Sequence, residues 1–374
     1  MIFTKVKLNQ KIKKPVLALG SHTKNSICFA RGKLAYISRV HPDLSSPKDF
    51  FGFEKDVKYF LKEKPKIIAF DLHPEYASSK YASTLHTTYY ILPTGIQHHH
   101  AHIASCMAEN GLNNEKVIGI AFDGTGLGAD DRLWGAEFLV CDYKNFKRRA
   151  HLKEVPLLGG ERSILEPWRL AAIWLYLAYK DRFLNLKMDF VKGIDKKKWQ
   201  VLKNMYLSGF NSPSSSSMGR LFDAAASLVL AKHKAHFEAE LAIELEKIAA
   251  RYKGQAKAYQ FKVTKCRDKY ILDPQPMFRQ VVLDLKAKTP KEKIAYRFHL
   301  TAAEMIKKAC LILRREDKIN KVVLSGGVFQ NKLLSSLAQD LLSREGFKVF
   351  MHKKLSCNDA GISLGQVLIA SQRS

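Results

Sequence analysis

Val117-Ile-Gly-Ile-Ala-Phe-Asp-Gly-Thr-Gly-Leu-Gly128 reads as a buried strand that finishes on an aspartate and enters a glycine-rich turn. Its continuous apolar run, without alternation, suits a strand covered on both faces. Lys66-Ile-Ile-Ala-Phe-Asp71 repeats the pattern: a short apolar strand that ends on Asp71 and opens into DLHPEY. Between the two, residues 98–110 carry helical spacing and stop at Gly111, a natural helix terminator. Upstream, the runs 16–20, 26–30 and 34–38 read as short strands joined by tight connections. Beyond about residue 160 helices dominate, at 166–179, 219–232, 238–252 and 291–315. The chain closes with a strand at 321–325, a glycine-rich turn, a helix from Asn331, a strand at 348–351 and a helix over 360–372. The expected architecture is α/β, divided into an extension at 1–15, a β-rich half at 16–155 and a helix-rich half at 156–374. No repeat is visible in the sequence. Two softer segments are expected, lysine-rich 183–199 and serine-rich Asn211-Ser-Pro-Ser-Ser-Ser-Ser217, whose last serines are placed to cap the following helix.

With 374 residues, 46% of them hydrophobic, the chain can bury a large core, which excludes a disordered or fibrous protein. Charges at the N-terminus and the lack of any long apolar run point away from a signal peptide or membrane span, and a cytoplasmic location is expected. The six cysteines are scattered without a CxxC pair, as for reduced thiols. The net charge of +27, from 62 Lys+Arg against 35 Asp+Glu, raises nucleic acid as a partner. The lysines are spread along the whole length and no zinc-finger, homeodomain or RNP pattern accompanies them. Attraction to anionic ligands or an acidic protein is the better expectation, and nucleic acid is not an expected partner.

Chemistry concentrates in His98-His99-His100-Ala101-His102. On a helix His98 and His102 project from one face, at the spacing of helical two-histidine metal sites, and Asp123 is a plausible third ligand. Imidazole and carboxylate without cysteine suit iron(II), zinc or manganese. His99 and His100 point elsewhere, since successive helix residues turn by about 100°. Ser325-Gly326-Gly327 and Asn331 form a strand, a glycine pair and a helix start, the layout of a phosphate-approaching turn, and Gly126 and Gly128 suggest another tight turn. Gly219 opens a helix one turn before Asp223, whose carboxylate could accept bonds from a ribose.

Taken together, ALGSHTKNSIC (18–28), FDLHPEY (70–76), QHHHAHIASCMAE (97–109), IAFDGTGLGADDRLWGAEF (120–138), EPWRLA (166–171), SSMGRLFDA (216–224), LSGGVFQN (324–331) and NDAGISLGQ (358–366) resemble the C-terminal carbamoyltransferase domain of the HypF family of nickel–iron hydrogenase maturation factors. The resemblance runs from about residue 15 to the end. It implies the two-lobed ASKHA fold of actin, hexokinase and Hsp70-like proteins, with a nucleotide cleft between the lobes. It further implies a divalent metal, iron or zinc, on His98, His102, Asp123 and Asp359, with the first three at the catalytic centre. A ribose would lie on Gly219 and Asp223, and an adenylate along Ser325, Gly326, Gly327 and Asn331.

The implied reaction passes a carbamoyl group from carbamoyladenylate, or from ATP-derived adenylate, to the C-terminal cysteine of a HypE-like acceptor in cyanide-ligand maturation. HypF chains normally carry acylphosphatase, zinc-finger and carbamoyladenylate-forming domains upstream of this one, and the resemblance implies either a separate carbamoyladenylate-forming protein as a partner or fission of an ancestral HypF. Two departures from the family pattern stand out: Phe237-Glu238-Ala239-Glu240 where Tyr-Glu-Gly-Gln is usual, and Cys357 where a proline commonly precedes NDxG. Rival readings are a tRNA threonylcarbamoyl-transferring enzyme of the same superfamily and a nucleotide-binding partner protein without transferase activity. The HHHAH run, with DLHPEY, EPWR and SMGRLFDA, favours the HypF reading.

Overall fold

The structure, a computed structural model, describes residues 3–373. A first sheet is built from β1 (Thr4–Ala18), β2 (Cys28–Ile37), β3 (Ile67–Asp71) and β4 (Leu92–Ile96), in the order β2-β1-β3-β4. β1 and β2 pair antiparallel, and β3 and β4 then add in parallel. A second sheet holds β5 (Val117–Leu127), β6 (Leu133–Cys141), β7 (Phe146–Leu152), β8 (Lys262–Cys266), β9 (Lys269–Asp273), β10 (Lys321–Ser325) and β11 (Lys348–Phe350). Its order is β8-β9-β7-β6-β5-β10-β11. Here too a leading antiparallel pair, β5 with β6, is followed by parallel strands β10 and β11 on the other side of β5. The two sheets thus repeat one topology, the two-lobed arrangement of the ASKHA fold.

Helices cover both sheets. α1 (Pro47–Leu61) and α2 (Ala77–Tyr89) pack through Phe53, Val57, Ala82 and Leu85 onto the outer face of the first sheet. α3 (His98–Glu109) lies against the second sheet, starting where the Gln97 side chain accepts from the His100 N–H at 2.9 Å. α4 (Trp168–Tyr179), α5 (Met218–Leu230), α6 (Glu240–Ala249), α7 (Lys291–Asp317) and α8 (Lys332–Arg344) enclose the largest apolar core, around Trp174, Phe222, Phe278 and Phe298. α9 (Ile362–Arg373) returns to the first sheet and packs along α3. A Cβ on Gly365 would lie 1.9 Å from the Ala101 carbonyl oxygen, so only glycine permits this helix contact. Among the described residues no helix is long and apolar enough to cross a membrane.

Several local expectations change. The stretch taken as an extension at 1–15 is mostly strand, because Leu8 and Ile12 are buried while the lysines around them face water. The runs 26–30 and 34–38 belong to one strand, β2, which passes through Gly32 at φ +61° where the pairing with β1 shifts register. The division near residue 155 is displaced: hydrogen bonding assigns 117–152 to the second sheet, so the sheets part at 110–116. Composition changes near 155 because helices begin there, not because a lobe begins. Lysine-rich 183–199 contains a capped helix start, with the Asp195 side chain accepting from the N–H groups of Lys197 and Lys198.

Candidate functional site

Four side chains from distant parts of the sequence meet at the C-terminal ends of the central strands. One ligand atom from each of His98, His102, Asp123 and Asp359 lies within 4.8 Å of every other. His98 Nε2 is 3.2 Å from Asp123 Oδ2 and 3.7 Å from Asp359 Oδ1. His102 Nε2 is 3.6 Å from both carboxylates. The histidines come from successive turns of α3 and so share a face. Asp123 does not end its strand as the sequence suggested. β5 continues to Leu127, and the pairing with β6 slips between Phe122 and Gly126, a bulge that turns the carboxylate toward α3. The turn expected around Gly126 and Gly128 is therefore part of a β-hairpin rather than a strand-to-helix connection. Asp359 arrives on a short turn after Asn358, whose side chain caps the Ala360 N–H at 3.0 Å.

Asp71, at the end of β3, completes the group from the first lobe. Its Oδ2 accepts from His98 Nδ1 at 2.7 Å, which leaves Nε2 facing the two carboxylates. Burial would strip the proton from His98, but Asp71 and Asp359 outweigh it and hold the imidazole well above its ordinary range. Burial also opposes charge on His102, but the carboxylates of Asp123 and Asp359 beside it outweigh burial and hold it above its ordinary range. Asp123 is held well below the carboxylate range: burial pushes it up, but His102 and His98 pull it further down. Four ligands of two types converge, and His102 Nε2 has no hydrogen-bond partner among the described residues. The set fits a divalent metal, with His98, His102, Asp123 and Asp359 as its holders.

The neighbouring histidines do other work. His99 is held well below its usual range by burial, reinforced by His98, and its Nδ1 meets Gln97 Nε2 at 3.0 Å. His100 is pulled down to about 4 by burial and lies 2.6 Å from the Asp142 carbonyl. Both stay near the cluster without joining it. Burial pushes the Cys106 thiol up and Cys357 up to about 11, so neither is an activated nucleophile.

The expected nucleotide residues are less uniform. Gly326 adopts φ +104°, and a Cβ there would strike the Phe122 carbonyl at 2.2 Å, so it serves the packing of the turn on β5. Gly327 N–H donates to Asp123 Oδ1 at 3.3 Å, and the turn steadies that carboxylate. Ser325 is fully buried, with its hydroxyl 3.0 Å from His352 Nε2. The Asn331 side chain is likewise committed, as the cap of α8 and to His299 Nε2 at 3.0 Å. Gly219 packs against Gly124, and Asp223 is buried beside Arg220. Ser217 fulfils the expected capping role, accepting from the Arg220 N–H at 3.1 Å while its hydroxyl donates to the Asp123 carbonyl at 2.9 Å. Sequence reasoning passed over Asp71 as a ligand-orienting group, although its strand-end position was visible.

Residues 11–109 match the family described as HypF Kae1-like domain, and residues 119–366 match the second subdomain of the carbamoyltransferase Kae1-like domain. The chain belongs to the HypF carbamoyltransferase family. A carbamoyltransferase HypF homolog of Cupriavidus necator is 33% identical over 96% of this chain and 92% of its own length. Carbamoyltransferase HypF2 of the same organism is 32% identical, and HypF of Synechocystis sp. is 33% identical; the chain spans about half the length of these two relatives, 47% and 48%. Among solved structures, full-length HypF in a phosphate- and nucleotide-bound form superposes with a TM-score of 0.91 at 38% identity. That match covers 98% of this chain and 47% of the HypF chain. T. kodakarensis HypF gives 0.88 at 27% identity, over 99% and 48%. The boundary between the two HypF subdomains falls at 109–119, close to the break between the sheets.

Proposed function

We propose that this chain is the carbamoyl-transferring unit of a HypF system, passing the group from carbamoyladenylate to a thiolate presented by a HypE-like acceptor. The observation that carries the reading is the convergence of His98, His102, Asp123 and Asp359, with Asp71 behind His98. A divalent iron or zinc held by these four would supply Lewis acidity for phosphate oxygens and the carbamoyl carbonyl. The chain's own contribution is placement. Asp71 fixes the proton of His98 on Nδ1, Gly327 N–H fixes Asp123, and the nearly complete burial of the histidines keeps competing water away.

In the transfer, the acceptor sulfur forms a bond to the carbamoyl carbon while the bond from that carbon to the phosphate oxygen breaks. AMP leaves with the electron pair and a thiocarbamate remains on the acceptor. The nucleophile is supplied by the partner, in keeping with the buried, unactivated Cys106 and Cys357. Nucleotide use is supported by the solved HypF relative described as nucleotide-bound. The reading places the reaction in the cytoplasm. The deciding experiment incubates the metal-loaded chain with synthetic carbamoyladenylate and a HypE C-terminal peptide. Mass increase of the peptide by one carbamoyl group, released with stoichiometric AMP, is expected; absence of both overturns the reading.

A further inference from the structure

Three buried polar side chains from separate segments form one line. Glu109 Oε2 accepts from His352 Nδ1 at 2.7 Å, and His352 Nε2 meets the Ser325 hydroxyl at 3.0 Å. With the proton on Nδ1, the neutral ring accepts at Nε2 and the hydroxyl donates. Glu109 and His352 are 5% and 4% exposed, and Ser325 is fully buried. Carboxylate, imidazole and hydroxyl in this order have the layout of a nucleophile triad, but a hydroxyl sealed from solvent offers a reacting carbon no approach. What the line does is join elements. Glu109 closes α3, which carries His98 and His102 toward its other end. His352 opens the segment that leads to Asp359, and Glu109 also accepts from the N–H groups of Lys353, Lys354 and Leu355 within it. Ser325 ends β10 just before Gly327, whose N–H donates to Asp123 Oδ1 at 3.3 Å. The Gly326 N–H donates to the Cys357 carbonyl at 2.9 Å, which ties that turn to the same segment close to Asp359.

We propose that His352, clamped between Glu109 and Ser325, is a positioning residue for the metal group. Its two hydrogen bonds lock the segment that delivers Asp359, and the turn that steadies Asp123, to the helix that delivers both histidines. The inference rests on the reading that His98, His102, Asp123 and Asp359 hold a metal. The histidines share one helix, whereas Asp123 comes from a strand bulge and Asp359 from a short turn, whose places the helix alone does not set. A site works only when its ligands are held to about 0.5 Å, so a tie between these segments governs affinity as well as geometry.

Cobalt(II), whose visible absorption reports coordination number and symmetry, is the probe on the full chain. His352→Phe keeps a planar ring and loses both bonds. It should lower cobalt affinity by about tenfold or more and shift the absorption band. His352→Gln can donate from its amide nitrogen and accept at its oxygen, and should recover much of both readouts. Ser325→Ala removes one bond at little cost in volume and should give a smaller loss with a band shift of the same sign; it carries the test if His352→Phe fails to fold. Thermal unfolding in chelator measures fold stability separately. Cobalt affinity and absorption equal to wild type in His352→Phe or in Ser325→Ala, whatever the change in Tm, overturn the positioning role, and so does a Gln variant no better than Phe. Failure of wild type to bind cobalt overturns the metal reading and the proposal with it.

Discussion

Asp71 and His98 form a dyad sealed from water: their Oδ2 and Nδ1 atoms are 2.7 Å apart and each side chain is 1% exposed. The carboxylate ends a strand of the first sheet, and the imidazole opens α3, which packs against the second.

Asp71→Ala should weaken metal binding by about 10–100-fold, the usual cost of losing a ligand-orienting partner. Chelator competition on purified protein measures this. An affinity equal to wild type, in a variant with unchanged circular dichroism, would show that packing alone orients His98.

Removing the metal should lower thermal stability. A cation that binds only the folded chain adds about 2.7 kcal/mol at a free concentration one hundred times its Kd. Dialysis against chelator and refilling with iron(II) or zinc should shift Tm down and then back. His98→Ala with His102→Ala should remove the metal-dependent shift.

Glu109, at the end of α3, accepts from His352 Nδ1 at 2.7 Å and from the backbone N–H groups of Lys353 at 2.9 Å and Leu355 at 3.2 Å, with Lys354 between them. Burial pushes its pKa up, yet these donors prevail and bring it from 4.5 down to about 2. A carboxylate depressed in the folded state stabilises above its unfolded pKa, and that stability is lost as pH falls from about 4.5 through about 2. Its contribution is on the order of 3 kcal/mol. Glu109→Gln should unfold at lower temperature near neutral pH and flatten the acid limb of the Tm–pH curve in that window. An acid limb identical to wild type would contradict the assignment.

Gly326→Ala places a methyl against the Phe122 carbonyl in a backbone conformation that L-residues rarely adopt. The expected loss is about 3 kcal/mol or more. Ala239 stands at φ +65° where the family pattern carries glycine, so Ala239→Gly relieves strain and should gain on the order of 0.5 kcal/mol. Urea unfolding of the two variants should move the midpoint in opposite directions.

The sequence was most legible where one short segment carries its own geometry. His98 and His102 announce a shared helical face, and Lys321–Ser325 reads as a strand from its apolar run alone. Legibility fails where meaning depends on distant partners. The lysines of β1 hide a strand because only Leu8 and Ile12 report its buried side. The duplicated strand order is invisible because hydrogen-bond topology leaves no period in the sequence. Asp123 was identified as a ligand candidate, but the bulge that aims it is set by its register with β6. Ser325 and Asn331 read from the sequence as a phosphate-turn layout, whereas their side-chain contacts with His352 and His299 depend on distant residues and could not be read there.

The return of α9 to the first sheet has a consequence for biosynthesis. Gln366 accepts from the Gly20 N–H at 2.9 Å and donates to the Gly20 carbonyl at 3.2 Å, and Gly365 is the residue on which α3 closes. A ribosome that has delivered β1 to β4 has therefore made a sheet whose inner face still lacks its cover. That apolar face stays open to chaperones, or to sticking, through translation of the entire second lobe. Asp359 and α9 emerge together, so the covering of this face and the assembly of the metal-holding group become a single event.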